Sequence, residues 1–215
     1  MELRYDPLKL GGILYVIAAF QFLSFELVAE TLYPDYSVGN NYISDLGATC
    51  IAPPSTTSCV VHQPSATIFD TTVFLLGLFL FVGTILVYQG TRKKAYGAIT
   101  LVADLAILLV GIFPENTGWI HAIISEVIFI FVGISLILAW TIIRGGLFRY
   151  LPVVFGVLTL FFTVGFRVSA IVGNGGEERL LVLSALLGTL ALGGYLAGQD
   201  SIGVIAEQKV PARSA

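Results

Sequence analysis

Ionisable side chains interrupt the long apolar stretches of this sequence, and they are the residues best suited to chemistry. They are Glu26, Glu30, Asp70, Asp104, His121, Glu126 and Arg167. A charged group inside a membrane is costly, so each of these side chains is a functional candidate by default. Since histidine and carboxylates can pass protons to and from a substrate, His121 and Glu126 are candidate catalytic residues for acid–base chemistry.

A polar segment at residues 40–48 supplies further candidates. It reads Asn-Asn-Tyr-Ile-Ser-Asp-Leu-Gly-Ala and contains neither lysine nor arginine. Asp45 is a third acid–base candidate, and Ser44 or Ser125 could act as a nucleophile activated by His121. The plainer alternative is that Ser44 or Asp45 only caps a short helix that begins near Leu46. The candidate substrate-binding residues are Asn41, Glu26, Asp70 and Arg167.

The charges inside the apolar stretches do not balance. Arg167 is the one fixed cation there, and we expect it to pair with Glu26 or Glu126. The remaining carboxylates are then neutral, or they share a cation, a metal or water. Plainer readings stay open, because Arg167 could form a purely structural ion pair and Glu30 or Asp70 could reach water at the interface. His121 could be an ordinary interfacial residue, and Asp104 could bond a neighbouring helix.

No cofactor motif is present in the sequence. There is no phosphate-binding loop, no dinucleotide fingerprint and no Gly-x-Ser-x-Gly nucleophile motif. Two cysteines are too few for a cysteine metal cluster, and only one histidine lies in a predicted helix, which disfavours a haem held by two histidines. A zinc ion held by His62, His121 and an aspartate would need three ligands without helical spacing, so the metal question stays open.

Composition indicates an all-α membrane protein. Of the 215 residues, 56% are hydrophobic and 12% are charged, against roughly 25% charged in soluble domains. The mean hydropathy is +0.90. A net charge of −3 offers no basic surface for nucleic acid, so the expected partners are membrane lipids and a small-molecule or lipid ligand.

Hydropathy predicts a bundle of six transmembrane helices within residues 1–197, followed by a polar tail at residues 198–215. The predicted spans are residues 8–32, 66–89, 96–113, 119–143, 151–172 and 180–197. Basic residues cluster before the first span, after the second and fourth spans, and in the tail. By the positive-inside rule both termini are cytoplasmic in a multi-pass protein of the cell membrane. The turns at residues 113–118 and 173–179 and the loop after the first span then face outward.

Cys50 and Cys59 fall in that first outward loop, where the environment is oxidising. A disulfide between them is the natural interpretation, and it would brace a loop that Pro53 and Pro54 stiffen. A redox-active pair is the less favoured alternative, because the spacing is not Cys-x-x-Cys.

Several of these features together resemble a known family. They are the Asn-x-x-Ser-Asp-Leu-Gly pattern at residues 41–47, the Phe113-Pro114 turn with His121 after it, and the six-span profile. They resemble the prokaryotic membrane-protein family called domain of unknown function 998, over nearly the whole chain to about Ala197. That resemblance implies a fold and no activity. The Ile-Ser-Asp-x-Gly pattern is also similar to the Frag1/DRAM/Sfk1 group of six-span proteins, some of which are tied to lipid remodelling.

Two classes of function follow. The first is an enzyme that acts on a lipid or lipid-linked group in the outer leaflet, with a polar pocket beneath the disulfide-braced loop. The second is a non-enzymatic membrane protein that binds a lipid or ligand or handles protons or cations. A structural subunit of a membrane complex is a third option. The inner halves of the predicted spans are apolar, which argues against a through-pore.

Overall fold

Six long helices make up most of the chain in a computed structural model that describes residues 6–51, 58–164 and 168–199. The helices are α1 (Pro7–Leu32), α2 (Ser65–Thr91), α3 (Lys94–Val110), α4 (Trp119–Leu138), α5 (Tyr150–Val164) and α6 (Ser169–Ala197). Short 3-10 turns lie at Ser44–Leu46, Glu115–Thr117, Ala139–Thr141 and Leu147–Arg149. One pair of two-residue antiparallel strands, β1 (Thr49–Cys50) and β2 (Cys59–Val60), departs from the predicted all-α fold.

Local sequence signals explain where the first helix begins. The Asp6 carboxylate accepts hydrogen bonds from the backbone amides of Leu8 at 2.9 Å and Lys9 at 3.4 Å. Pro7 occupies the first helical position, where the missing amide hydrogen costs nothing. The capped end therefore starts α1 just before the apolar run that becomes the first wall of the bundle.

The six helices form a closed ring. Each helix packs against its neighbours in sequence, and α6 returns to pack against α1. Small residues allow the closest approaches, since a Cβ atom added at Gly12 would lie 2.6 Å from the backbone nitrogen of Ala197. The ring therefore encloses an interior that the helices line, and the opposite sides of the helices form its outer surface.

The exterior is that of a membrane protein. Large apolar side chains are well exposed there, with Phe20 at 68%, Leu27 at 61% and Ile123 at 61% of full exposure. Four helical segments of the described chain are long and apolar enough to cross a membrane: Pro7–Leu32, Ser65–Thr91, Trp119–Thr141 and Ala170–Ala197. α3 and α5 are shorter, with 17 and 15 residues.

The break between the last two helices lies earlier in the chain than the hydropathy pattern indicates. α5 ends at Val164 and α6 begins at Ser169, so most of the expected turn at residues 173–179 is helical. α6 is kinked at Gly173, the first residue of that expected turn, where a φ of +78° is non-helical and two helical segments meet. The loop after α1 packs against this segment, where the backbone amide of Gly175 donates to the Gly39 carbonyl at 3.0 Å. The Gly39 carbonyl therefore pairs with one of the first amides after the kink, which the helical segment itself leaves without a partner.

The loop between α1 and α2 covers one end of the ring, and we call residues 33–50 the lid. The disulfide between Cys50 and Cys59 is confirmed, and it joins the two short strands at the register Cys50↔Cys59. Leu46 and Ala48 of the lid are fully buried, so the lid packs onto the bundle and does not project from it. We call this end of the ring the lid end and the opposite end the far end.

Candidate functional site

A cavity occupies the interior of the ring beneath the lid. Its empty volume is about 1010 Å³, a figure that includes open space at its margin. Helices α1, α2, α3, α4 and α6 line it together with the lid. Its walls are mostly apolar, and the larger side chains among them are Phe22, Phe69, Leu76, Leu80, Ile107, Phe129, Leu136, Leu186 and Leu192.

A chain of hydroxyl groups ending at Asp104 forms part of the cavity wall toward the far end. The Tyr96 and Tyr15 hydroxyl oxygens lie 3.0 Å apart, and Tyr15 lies 2.6 Å from Thr84 Oγ1. Thr84 in turn donates to Asp104 Oδ2 at 2.6 Å. All four side chains are buried, and they join α1, α2 and α3. Asp104 stands out in the sequence as an ionisable residue inside an apolar span. The two tyrosines could have been found by a weaker signal, because a tyrosine inside an apolar span needs a hydrogen-bond partner.

A second polar pair lies beside this chain. The Thr100 hydroxyl donates to the Tyr96 backbone carbonyl at 2.8 Å, and it lies 2.6 Å from the Ser135 hydroxyl. Because Thr100 has only one hydroxyl proton, Ser135 must be the donor to Thr100 when both bonds are made. Residues Tyr15, Tyr96, Thr100, Asp104 and Ser135 all line the cavity, and we call them the polar floor.

His121 lines the cavity near the lid end and has a defined tautomer. Its Nδ1 lies 2.9 Å from the Phe113 backbone carbonyl. A carbonyl can only accept, so Nδ1 carries the proton and Nε2 of the neutral ring is an acceptor. Ser125, one helical turn further along α4, lines the same cavity, and so does Ser44 of the lid. The geometry therefore places a proton acceptor and two hydroxyl groups around one space.

Asp45 holds the lid together. Its Oδ2 accepts from the Asn41 side-chain amide and from the Tyr42 backbone amide, both at 2.9 Å. Burial raises the pKa of the Asp45 carboxyl, and these two hydrogen bonds oppose that rise. Asp45 does not cap the short helix in the expected way, because the residue before the Ser44–Leu46 turn is Ile43 and no side chain caps it. Both Asp45 and Asn41 are thus engaged within the loop itself.

Two residues of α6, Glu178 and Arg179, bind the lid. Glu178 accepts from the backbone amide of Ile43 and also lines the cavity. The guanidinium of Arg179 forms an ion pair with Glu30 and donates to the Tyr36 hydroxyl. It also donates to three backbone carbonyls, those of Val38 at 2.8 Å, Asn41 at 3.1 Å and Gly175 at 3.1 Å. Sequence reasoning placed Arg179 in a turn and therefore did not assign it a role.

Glu115 is a buried carboxylate in the connection between α3 and α4. The residue is only 5% exposed, and neither carboxylate oxygen has a hydrogen bond among the described residues. Burial and the neighbouring charge of Asp45 raise its pKa from 4.5 to about 7. The nearby Ser44 hydroxyl opposes this rise.

Glu126, Glu26 and Asp70, which are also proposed from sequence, are not among the described residues that line the cavity. Glu126 is exposed on the outside of α4, while Glu26 is buried but is not among the residues that line the cavity. Asp70 is half-buried against the lid, where a Cβ atom added at Gly47 would lie 2.5 Å from its Oδ1. Arg167 lies outside the described residues, so its expected pairing with Glu26 or Glu126 stays a prediction. Arg179 and Glu30 form an ion pair within the described residues.

No group of three histidine, cysteine, aspartate or glutamate side chains in the described parts of the chain could hold a metal ion. The cavity-lining residues that can ionise near neutral pH are Asp104, His121 and Glu178. Neither lysine nor arginine is among the described lining residues. The lining residues therefore offer hydrogen bonding, a proton acceptor and two carboxyl groups.

Comparison with known proteins gives one match. No curated protein and no solved structure matches the chain. The likeness to the Frag1/DRAM/Sfk1 group gains no support from these comparisons. The family model described as protein of unknown function DUF998 matches residues 16–195, which include the lid and the helices that line the cavity. The chain is therefore a member of the DUF998 family of membrane proteins.

Proposed function

We propose that this protein crosses the cell membrane six times, with both termini in the cytoplasm, and holds one small amphipathic molecule in its interior cavity. The observation that carries the proposal is the cavity itself, which has apolar walls, a polar floor and a lid. Pockets with mostly apolar walls and a few placed polar groups are typical of small-molecule sites. A single-chain lipid or a molecule of similar shape matches this pattern.

The position of basic residues supports the orientation. Lys93 and Lys94 are exposed at the far end of the ring, between α2 and α3, and Arg144 is exposed between α4 and α5. The lid lies at the opposite end and has no lysine or arginine between residues 33 and 50. The 17 residues of α3 give a length of about 26 Å, close to the roughly 30 Å of a bilayer core. Six spans with the lid outside satisfy the positive-inside rule.

The topology has a direct test. Lys93 and Thr56 are each replaced by cysteine in separate variants of a chain that has no other free thiol. Whole cells are then treated with a thiol reagent that cannot cross the membrane. We expect the cysteine at Thr56 to react from outside and the cysteine at Lys93 to react only after the cells are opened. Reaction of both from the same side would contradict the proposed orientation.

A second candidate function is enzymatic, and the tautomer of His121 favours it. Its Nε2 makes no hydrogen bond among the described residues, and Ser125 and Ser44 line the same cavity, so His121 could serve as a general base for a group bound there. In this alternative His121 is the general base. It activates the hydroxyl of Ser125 or Ser44, or a bound water, to attack a lipid-linked group. Asp45 would then hold the lid in place, and Glu126, which faces outward, would take no part.

The binding proposal is tested with a photoreactive probe. The protein is reconstituted in nanodiscs with dodecan-1-ol that carries a diazirine on its terminal carbon, and labelled residues are mapped by mass spectrometry. We expect labels on inward residues such as Leu76, Ile107 and Val132. Ala103 lines the cavity at 1% exposure and Val102 beside it is 43% exposed, so they form a matched pair.

The variant Ala103→Phe should fill part of the cavity and lose the inward labels. Val102→Phe adds its ring on the lipid side and should keep them. Thermal unfolding of both variants confirms that each is folded. Labels confined to outward residues such as Phe20 and Ile123 in the unsubstituted protein would refute the proposal.

A further inference from the structure

Two carboxyl groups line the cavity without a lysine or arginine beside them on the described part of its wall. Asp104 lies in the polar floor and Glu178 lies near the lid, and both line the cavity. Among the described lining residues there is no lysine or arginine to pair with either. Glu178 accepts from the backbone amide of Ile43 and lies close to the Arg179 guanidinium. Among the described residues Asp104 has only the Thr84 hydroxyl, so Asp104 is the less satisfied of the two.

Asp104 is deeply buried and half of its carboxylate has no partner. The residue is 3% exposed. Oδ2 accepts the bond from Thr84 at 2.6 Å, whereas Oδ1 makes no hydrogen bond with any described residue. A buried carboxylate normally has its oxygens paired, because an unpaired buried charge is expensive. Oδ1 is therefore an acceptor that the protein itself leaves open beside the cavity.

The hydroxyl groups around Asp104 cannot fill that position. With Asp104 ionised, Thr84 donates to Oδ2, Tyr15 donates to Thr84, and Tyr96 donates to Tyr15. The hydroxyl protons of Thr100 and Ser135 are used as well, since Thr100 donates to a backbone carbonyl and Ser135 donates to Thr100. Every hydroxyl proton of the polar floor is then committed. The polar floor therefore offers a ligand only hydrogen-bond acceptors, and one of them is the ionised carboxylate of Asp104. A positively charged donor is the group that complements them.

The walls above the floor indicate what kind of cation fits. Aromatic rings line the cavity at Tyr15, Tyr96, Phe22, Phe69 and Phe129. Aromatic faces attract ammonium groups, and the aliphatic walls between them favour a hydrocarbon chain. An inorganic ion would leave those walls without a partner. An organic amine with an apolar chain uses both the floor and the walls.

We propose that the occupant of the cavity is a lipophilic amine whose protonated nitrogen donates to Oδ1 of Asp104, with its chain running toward the lid. This inference rests on the proposed function, because it specifies the chemical class of the molecule that the cavity holds. It places the polar group of the ligand at the floor of the cavity, away from the lid.

The test compares three probes that share one chain. Dodecylamine, dodecan-1-ol and dodecanoate, each with a diazirine on the terminal carbon, are titrated into the protein in nanodiscs of phosphatidylcholine at pH 7. We expect half-maximal labelling of the cavity by the amine at a concentration at least about tenfold lower than by the alcohol, as a charge-assisted hydrogen bond provides. Dodecanoate should label least. The amine should label residues near the lid such as Ile43 and Phe69, because the diazirine lies at the far end of its chain from the nitrogen.

Two variants identify the carboxylate. Asp104→Asn keeps the size of the side chain and an acceptor for Thr84, so it should bind the alcohol as before and lose the preference for the amine. Glu178→Gln should keep that preference. The ranking of the three probes on the unsubstituted protein needs no variant, so poor folding of Asp104→Asn would not spoil the test.

The outcomes separate this inference from the proposed function. If none of the three probes labels inward residues, the proposed function fails and the inference fails with it. If the alcohol labels the cavity as well as the amine does, the cavity is a binding site but the amine assignment is wrong. Loss of the preference in Glu178→Gln together with its retention in Asp104→Asn would also overturn the assignment, because the cation would then lie at the lid.

Discussion

Replacing Arg179 with methionine should release the lid. The guanidinium is the common partner of Glu30, the Tyr36 hydroxyl and the backbone carbonyls of Val38 and Asn41. Methionine keeps much of the aliphatic stem of the side chain and none of these bonds. The substitution leaves Glu30 without its partner and two lid carbonyls without donors, in a position where the ion-pair side chains are only 12% and 14% exposed.

The size of the effect follows from what is left unpaired. Removing one partner of a buried ion pair costs about 3–5 kcal/mol, and water can reach part of this pair, so we expect the low end, about 3 kcal/mol. Since each 1.4 kcal/mol is a factor of ten, the population of open lid should rise about 100-fold. The helices make most of their contacts with one another, so the change should be local to the lid.

Hydrogen exchange measured by mass spectrometry is the suitable assay, because it reports local opening peptide by peptide. Peptides that cover residues 37–48 should exchange about 100-fold faster in Arg179→Met, while peptides from α2 and α4 keep their rates. Arg144→Met is the control, because Arg144 is an exposed arginine on another connection. In a double-mutant cycle, Glu30→Gln should account for part of the lost protection of the lid from hydrogen exchange. An acceleration of less than about threefold in the lid, or equal acceleration in the control, would refute the conclusion that Arg179 holds the lid in place.

Three further predictions test the lid and its surroundings. Cys59→Ser should lower the free energy of unfolding by about 2–3 kcal/mol without loss of helical circular dichroism, and an unchanged melting temperature would contradict it. Gly173→Ala should destabilise by at least about 1 kcal/mol, because φ is +78° and the added Cβ would lie 1.9 Å from the Gly39 carbonyl oxygen. Gly194→Ala has nothing within 4 Å and should be neutral or stabilising in the same melt. Burial raises the pKa of Glu115 to about 7, so the folded state binds its proton more tightly and stability should fall as pH rises from about 4.5 to about 7. Glu115→Gln should flatten that part of the pH profile, and an unaltered profile would count against the assignment.

The sequence by itself determined the class of the protein, the disulfide and the family. Long apolar runs report a membrane protein because the bilayer demands about 20 apolar residues per span, whatever the neighbours are. Cys50 and Cys59 could be paired because they are close in sequence and fall in a loop without basic residues. The motif at residues 41–47 could be assigned to the right family, since short polar motifs stand out in an apolar chain.

Which way each polar residue faces was decided only by tertiary structure. A span that is apolar on all sides has no polar face to indicate its orientation, so periodicity could not tell that Glu126 faces outward and Asp104 faces the cavity. The partner of Glu30 was missed for a related reason. Arg179 lies 149 residues further along the chain, in a segment whose glycines suggest a turn but which is helical after the kink at Gly173. Contacts of that separation exist only after the ring of helices has closed, because the closure of α6 onto α1 brings the two side chains together.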